Sequence, residues 1–202
     1  MKTEAQDPRS AEYKRSAELQ KKIDGLNVIG GVCRDQSFRV AVVVGRWHAF
    51  IADKLLQGAL AAINESGIDD SLIDIVYVPG SYEVPLAVKR VANLGQHKAI
   101  VTLGVIIKGD TPHFDFVAGE CARGIADVSL EYDVPIGFGV LTVNNVDQAL
   151  ARAEEGEANK GREAALAALE MADLLERLSL LLKAIHRTLI LSPENVRVVL
   201  RT

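Results

Sequence analysis

Cysteine, positive charge and long apolar runs are scarce in this chain, and each scarcity closes off a class of function. Only two cysteines occur, Cys33 and Cys121, far apart in sequence. They match neither a CxxC motif nor a zinc-ligand spacing, so a reducing compartment is expected rather than a disulfide framework, and both thiols read as structural or inert. Acidic residues outnumber basic ones, giving a net charge of -4 and a pI near 5.6. Nucleic acid and anionic membrane surfaces both demand a strong basic patch, so small molecules are the expected ligands. No apolar run reaches the roughly 18 residues of a membrane span, because Lys183, His186 and Arg187 interrupt the longest candidate, residues 178–191. The first 25 residues mix both charges without the apolar core of a secretory signal or the acid-poor character of a transit peptide, which leaves the cytoplasm as the default location. Nucleotide-binding signatures are also missing. No Walker motif occurs, and "VIGGVC" lies ahead of the first strand with the wrong spacing for a dinucleotide fingerprint.

What the chain does have is apolar content, 49% of 202 residues, enough for one well-filled domain. Residues 1–36 carry mixed charge and little periodicity and read as an amino-terminal arm, although "LNVIGGV" (26–32) has the content of a short edge strand. From Phe38 four nearly continuous apolar runs recur: "FRVAVVVG" (38–45), "IDIVYVPG" (73–80), "KAIVTLGVI" (98–106) and "VPIGFGVLT" (134–142). Unalternating Val/Ile-rich runs fit strands buried on both faces. Helical patterns separate them. Ile51, Leu55, Ala59 and Ile63 repeat at helical spacing with Gly67 as C-cap, and a second helix runs from about Val84 to Gly95 with Pro85 in its first turn. The segments "HFDFVAGECARGIADVSLEY", "VDQALARAE" and "NKGREAALAALEMADLLERL" come next, the last rich in strong helix formers. Strand alternating with helix predicts right-handed crossovers and a flavodoxin-like three-layer α/β/α sandwich around a central four-stranded parallel sheet. In such sheets ligands bind beyond the carboxyl ends of the strands.

The strand ends carry a coherent set of groups. Trp47, the single tryptophan, comes after the first run in "GRWHAF"; it fits either a half-buried core position or a stacking platform for a flat ring. After the second run, "PGSYEVP" places Ser81 and Glu83 at a helix start, where the carboxylate could stabilise the helix end or accept hydroxyl hydrogen bonds from a polyol. After the third comes "KGDTPHFD" (108–115). Thr111 is a good N-cap and Pro112 a favoured first helical residue, so the N–H groups of His113 and Phe114 are left for an anion. Lys108 would add charge there, and Asp110 opposes an anion unless it turns outward. His113 next to such a site is suited to proton transfer, or it simply bonds a neighbouring carbonyl. A metal held by His113 and Asp115 is a weaker reading, since no further ligands occur at a familiar spacing. Phe138 lies on the fourth run, and beyond it Arg152, Asn159, Lys160 and Glu163 read one by one as a solvated surface.

Taken together, "VVVGRWHAFIADKLLQGAL", "VPGSYEVPLAVKR", "TLGVIIKGDTPHFDFVAGE", "VPIGFGVLT", "DQALARA" and "NKGREAALAALEMADLL" resemble, in order and nearly without gaps, the lumazine synthase family. The resemblance implies condensation of 5-amino-6-ribitylaminouracil with 3,4-dihydroxy-2-butanone 4-phosphate, a late step of riboflavin biosynthesis that needs no metal or organic cofactor. It assigns Trp47 to aromatic stacking, and Ser81 and Glu83 to uracil and ribityl contacts. Val105 and Ile106 fall where backbone groups meet the pyrimidine. Gly109, Asp110 and Thr111 match the phosphate loop, with Lys108 beside it, and His113 matches the acid/base. Phe138 would cover the ring from an adjacent subunit, Arg152 would bind phosphate, and Lys160 and Glu163 would complete the polar wall. It further implies pentamers with sites between subunits and, in many members, twelve pentamers forming a capsid. The likeness covers residues 37–178. It leaves the arm and an apolar carboxyl-terminal extension (179–202), expected to pack on something, outside it. Glu154, Glu155 and Gly156 stand where the family more often reads Gly-Thr-Lys, which reverses the local charge. The rival readings are a non-catalytic flavin or lumazine binder and a shell-forming protein on the same scaffold.

Overall fold

The computed structural model describes residues 21–24, 26–32 and 37–190, with side chains as far as 185. The described residues up to Gly30 belong to a separate unit, in which residues 21–23 make one helical turn closed by the Leu26 N–H on the Ile23 carbonyl. The unit from Gly31 onward holds the sheet and its helices.

The Val-rich runs become four parallel strands: β1 (Arg39–Gly45), β2 (Ile73–Val78), β3 (His97–Ile107) and β4 (Ile136–Val143), in spatial order β2-β1-β3-β4. Between and after them lie α1 (Ala49–Glu65), α2 (Val84–Asn93), α3 (His113–Tyr132), α4 (Val146–Ala153) and α5 (Lys160–Ile190). Val40, Val42 and Val44 pack toward α1, α4 and α5, while Ala41 and Val43 pack toward α2 and α3. The expected sandwich with helices on both faces is therefore what forms. Complete burial of each of these valines contributes about 1.5–2 kcal/mol. The expectation that all four runs are buried on both faces holds for the central β1 and β3 only. Edge position leaves Ile75 and Tyr77 of β2 and Phe138 and Thr142 of β4 exposed, because the helices cover the middle of the sheet.

Local chemistry sets the element ends. Gly67 (φ 87°) comes just after α1, its N–H bonding the Asn64 carbonyl while the Ile68 N–H reaches back to Ile63. This left-handed cap lets buried Ile68 fold back against the helix end. Small residues let α5 lie close. A Cβ on Gly161 would collide with the Leu55 backbone and one on Gly137 with the Ala164 backbone, and Ala164, Ala165, Ala168, Leu169 and Ala172 form the docked face. The stretch 26–32 takes no part in the sheet. Gly31 lies against the Glu170 backbone and the Val32 N–H donates to the Asp173 carboxylate (2.9 Å), so these two residues find their partners on α5. Cys33 lies outside the described residues. Among the described residues no helix is long and apolar enough to cross a membrane.

Candidate functional site

The switch point of the sheet lies between β1 and β3, whose chains leave in opposite directions, and a crevice opens at their carboxyl ends. At the end of β1 the Arg46 N–H bonds the Val78 carbonyl (2.9 Å), and His48 turns the chain with φ 57° before its carbonyl starts α1 by accepting from Ile51 and Ala52. That sharp turn throws Trp47 outward, 70% exposed, so of its two readings the core position does not apply.

At the end of β2, Gly80 leads into a 3-10 turn, Ser81–Glu83, and then into α2. Glu83 makes no side-chain capping bond. A Cβ built on Gly80 would lie 3.2 Å from Glu83 Oε2 and 3.6 Å from Trp47 Cδ1, so carboxylate and indole overhang the same glycine. Ser81 is buried, and its Oγ would be 2.6 Å from a Cβ on Gly104 of β3. Glycine at 104 is what gives the serine room.

After β3 the Lys108 N–H bonds the Val143 carbonyl (2.9 Å), and Gly109, Asp110 and Thr111 form an exposed loop. The cap expected here differs by one residue. Pro112, not Thr111, holds the N-cap position (φ -63°, ψ -2°), His113 is the first helical residue, and no side chain caps the helix. The cause is a tight first turn in which the Asp115 N–H bonds the Pro112 carbonyl (3.0 Å), so the backbone closes the end without the threonine hydroxyl. The N–H groups of His113 and Phe114 still belong to the first turn and have no acceptor within the helix.

These three ends enclose a cavity of about 510 Å³, within the range of small-molecule sites. Trp47, Ser81, Glu83, Val105, Ile106, Gly109, Thr111 and His113 line it, whereas Lys108 and Asp110 do not. Phe114, expected there only for its N–H, also lines it, as do His48, Tyr82 and Phe116, which the sequence does not single out. Nothing in "WHAF" marks His48, because a left-handed turn is ordinarily signalled by glycine, and the exposed aromatics Tyr82 and Phe116 carry no signal either.

The remaining candidates lie along the free edge of β4, in the last turn of α4 and at the start of α5. There Phe138, Arg152, Lys160 and Glu163 line a second cavity of about 390 Å³ that shares no residue with the first. Arg152 Nη1 donates to the Gln148 carbonyl (3.0 Å), and Lys160 Nζ pairs with Glu163 at 2.7 Å. Asn159 holds this corner. It is 1% exposed, its Oδ1 accepts from the Gly161 and Arg162 N–H groups, and its Nδ2 donates to the carbonyls of Lys54 and Ala153. Glu154 and Glu155 are exposed and line neither cavity.

Other reactive groups stand apart. Burial pushes the Cys121 thiol up to about 11, and among the described residues no three His, Cys, Asp or Glu side chains are grouped to share an ion. At the opposite end of the sheet Asp74 receives Arg39 (2.7 Å) and His97 (2.7 Å). Hydrogen bonds from Arg39, then from His97, hold its carboxyl below the usual aspartate range.

A parallel, doubly wound sheet with a polar and aromatic crevice at its switch point defines an α/β protein of the class that holds small molecules at the strand ends. The particular family is given by the sequence on this scaffold. Residues 37–176 match the family model described as 6,7-dimethyl-8-ribityllumazine synthase. The chain belongs to that family, which places it in riboflavin biosynthesis.

Proposed function

We propose that this protein condenses 5-amino-6-ribitylaminouracil with 3,4-dihydroxy-2-butanone 4-phosphate, at a site made when the first cavity of one copy meets the β4 edge of another. The observation that carries this reading is the division of the candidate set. One chain has an aromatic cavity with Trp47, Ser81, Glu83 and His113, while Arg152, Lys160 and Phe138 line a separate one. The first has no Lys or Arg, and the second has neither an indole nor an imidazole.

In this reading the pyrimidine lies against Trp47, and the buried Ser81 and the Glu83 carboxylate take the uracil and ribityl groups. The phosphate sits over the open first turn of α3 and the Thr111 loop, where amide donors and the helix dipole favour an anion. Arg152 completes its charge balance from the facing copy. Schiff-base formation with loss of water, elimination of phosphate, ketone rearrangement and ring closure with loss of a second water each need proton transfers within a pre-assembled pair. Orientation therefore supplies most of the acceleration, and His113, at the rim beside the phosphate, adds about 10²-fold by acid/base transfer. Lys160 and Glu163 neutralise each other at 2.7 Å and form a polar wall rather than a free charge. Lys108 and Asp110 line neither cavity, and in this reading they act only through the charge they bring to the loop.

Mixing the purified protein with both substrates and monitoring lumazine absorbance and fluorescence tests the reading. Product formation well above the uncatalysed background is expected. A background rate with retained flavin or uracil binding would make the protein a binder instead.

A further inference from the structure

We infer that the outer half of α5 is a self-association helix, whose apolar seam packs as a coiled coil on the same segment of a second copy of this chain. Helix α5 runs unbroken over 31 residues, Lys160–Ile190, about 46 Å at 1.5 Å per residue. Its docked face ends at Ala172, and every residue from Glu176 to Ile185 is exposed. The family match ends at 176, so the segment beyond belongs to this chain and not to the common core.

One stripe runs along the helix and changes in size. In its first half Leu169 and the small Ala164, Ala165, Ala168 and Ala172 meet the protein's own sheet and α1. From Met171 the large apolar residues change to Met171, Leu175, Leu178, Leu182 and Ile185, spaced four, three, four and three. That is a heptad seam, d-a-d-a-d. A 3.5-residue period stays aligned only against a partner helix that supercoils with it. Leu178, Leu182 and Ile185 are 36%, 63% and 47% exposed, which is the cost of the seam in a single chain.

The flanks suit a second copy of this chain. Up to Ile185, positions e (Ala172, Ser179) and g (Leu174, Leu181) hold no charge, whereas Glu176, Arg177 and Lys183 fall at b and c, away from the seam. Uncharged flanks encode no choice of a foreign partner and set no like charges against each other when the helix meets itself. An identical stripe is self-complementary about a symmetry axis. Leu174 and Leu181 widen the seam, and Leu180, at f, is the large side chain that falls outside it. A helical segment this short is marginal in water alone, so packing is what keeps it helical.

The test uses the full-length chain carrying Cys33→Ser, with buried Cys121 retained. A short bismaleimide is applied to Leu178→Cys or Leu182→Cys, and to Glu176→Cys or Lys183→Cys as outward-facing controls. Chain-to-chain products several-fold more abundant for the seam positions are expected. Equal yields at all four, or no interchain product at any, would overturn the inference. In a second measurement Leu178→Lys, Leu182→Lys and Ile185→Lys are combined. The expected result is a smaller sedimenting species. Unchanged mass with lost helical ellipticity would mean that the stripe is covered within its own chain, unchanged mass and helicity that nothing covers it, and either would also overturn it.

Discussion

Asn159→Ala should unfold this protein more easily by about 3 kcal/mol, and the estimate can be built from its bonds. Its Oδ1 serves two N–H groups at the start of α5, those of Gly161 (2.9 Å) and Arg162 (3.1 Å). Losing such a cap costs about 1 kcal/mol. Its Nδ2 serves the Ala153 carbonyl at the end of α4 (2.9 Å) and the Lys54 carbonyl of α1 (3.1 Å). The first has no onward helical donor and the second already serves its own helix, so together they add about 1–2 kcal/mol on truncation. A small void beside Gly58, whose Cβ would strike the Asn159 amide, accounts for the rest. Urea unfolding at fixed protein concentration reads this directly. With a slope of roughly 2–3 kcal/mol per molar the midpoint should fall by about 1–1.5 M at unchanged slope. Asn159→Asp is the sharper control. It keeps the cap and gains from the helix dipole, yet it replaces the donor to Ala153 with a second oxygen. If only capping mattered, this variant would match the parent. A parent-like Asn159→Asp, or a loss below about 1 kcal/mol for Asn159→Ala, would mean that the two carbonyl bonds contribute nothing.

His113→Ala should fold normally and lose about 10²-fold in kcat, and complete loss of activity in a folded protein would contradict its rim position. Gly104→Ala would put a methyl 2.6 Å from Ser81 Oγ and 3.5 Å from Val140 Cγ1; overpacking of about 1–2 kcal/mol and a raised KM for the uracil are expected, and neither changing would show that the serine moves aside freely. Asp74 is held below its usual value in the folded state, so its contribution to stability is complete above the unfolded-state pKa and is lost as pH falls through the lower folded one. The parent's thermal midpoint should therefore fall more steeply between about pH 5 and pH 3 than that of Asp74→Asn, and parallel curves would count against it.

Much of the fold is legible in the sequence because strand and helix differ in period. Residues 113–132 read as one helix and form one, and Gly67 reads as the cap of the helix before it and is. What periodicity does not supply is position across the sheet. β2 reads as apolar as β1, but as an edge strand it leaves Tyr77 outside, a property of topology and not of its residues. The cap before His113 slips by a residue because backbone and hydroxyl can close the same turn. Trp47 has two open readings until the left-handed turn at His48 decides where the ring goes. The candidate site itself is legible only as a family pattern. Arg152 and Lys160 look like ordinary surface charges one at a time, and Asn159, which positions them, shows its importance only through partners 105 and 6 residues away.

If two chains make each site, complementation between two half-site variants will restore activity. One variant carries Trp47→Ala with Glu83→Gln and the other Phe138→Ala with Arg152→Ala, each nearly inactive when assayed alone at low butanone phosphate. Co-expressed and randomly assembled, the two should place an intact first cavity against an intact β4 edge in about a quarter of their contacts, and recover about that share of parent activity. Mixed assemblies no more active than the separate variants would mean that each site lies within one chain.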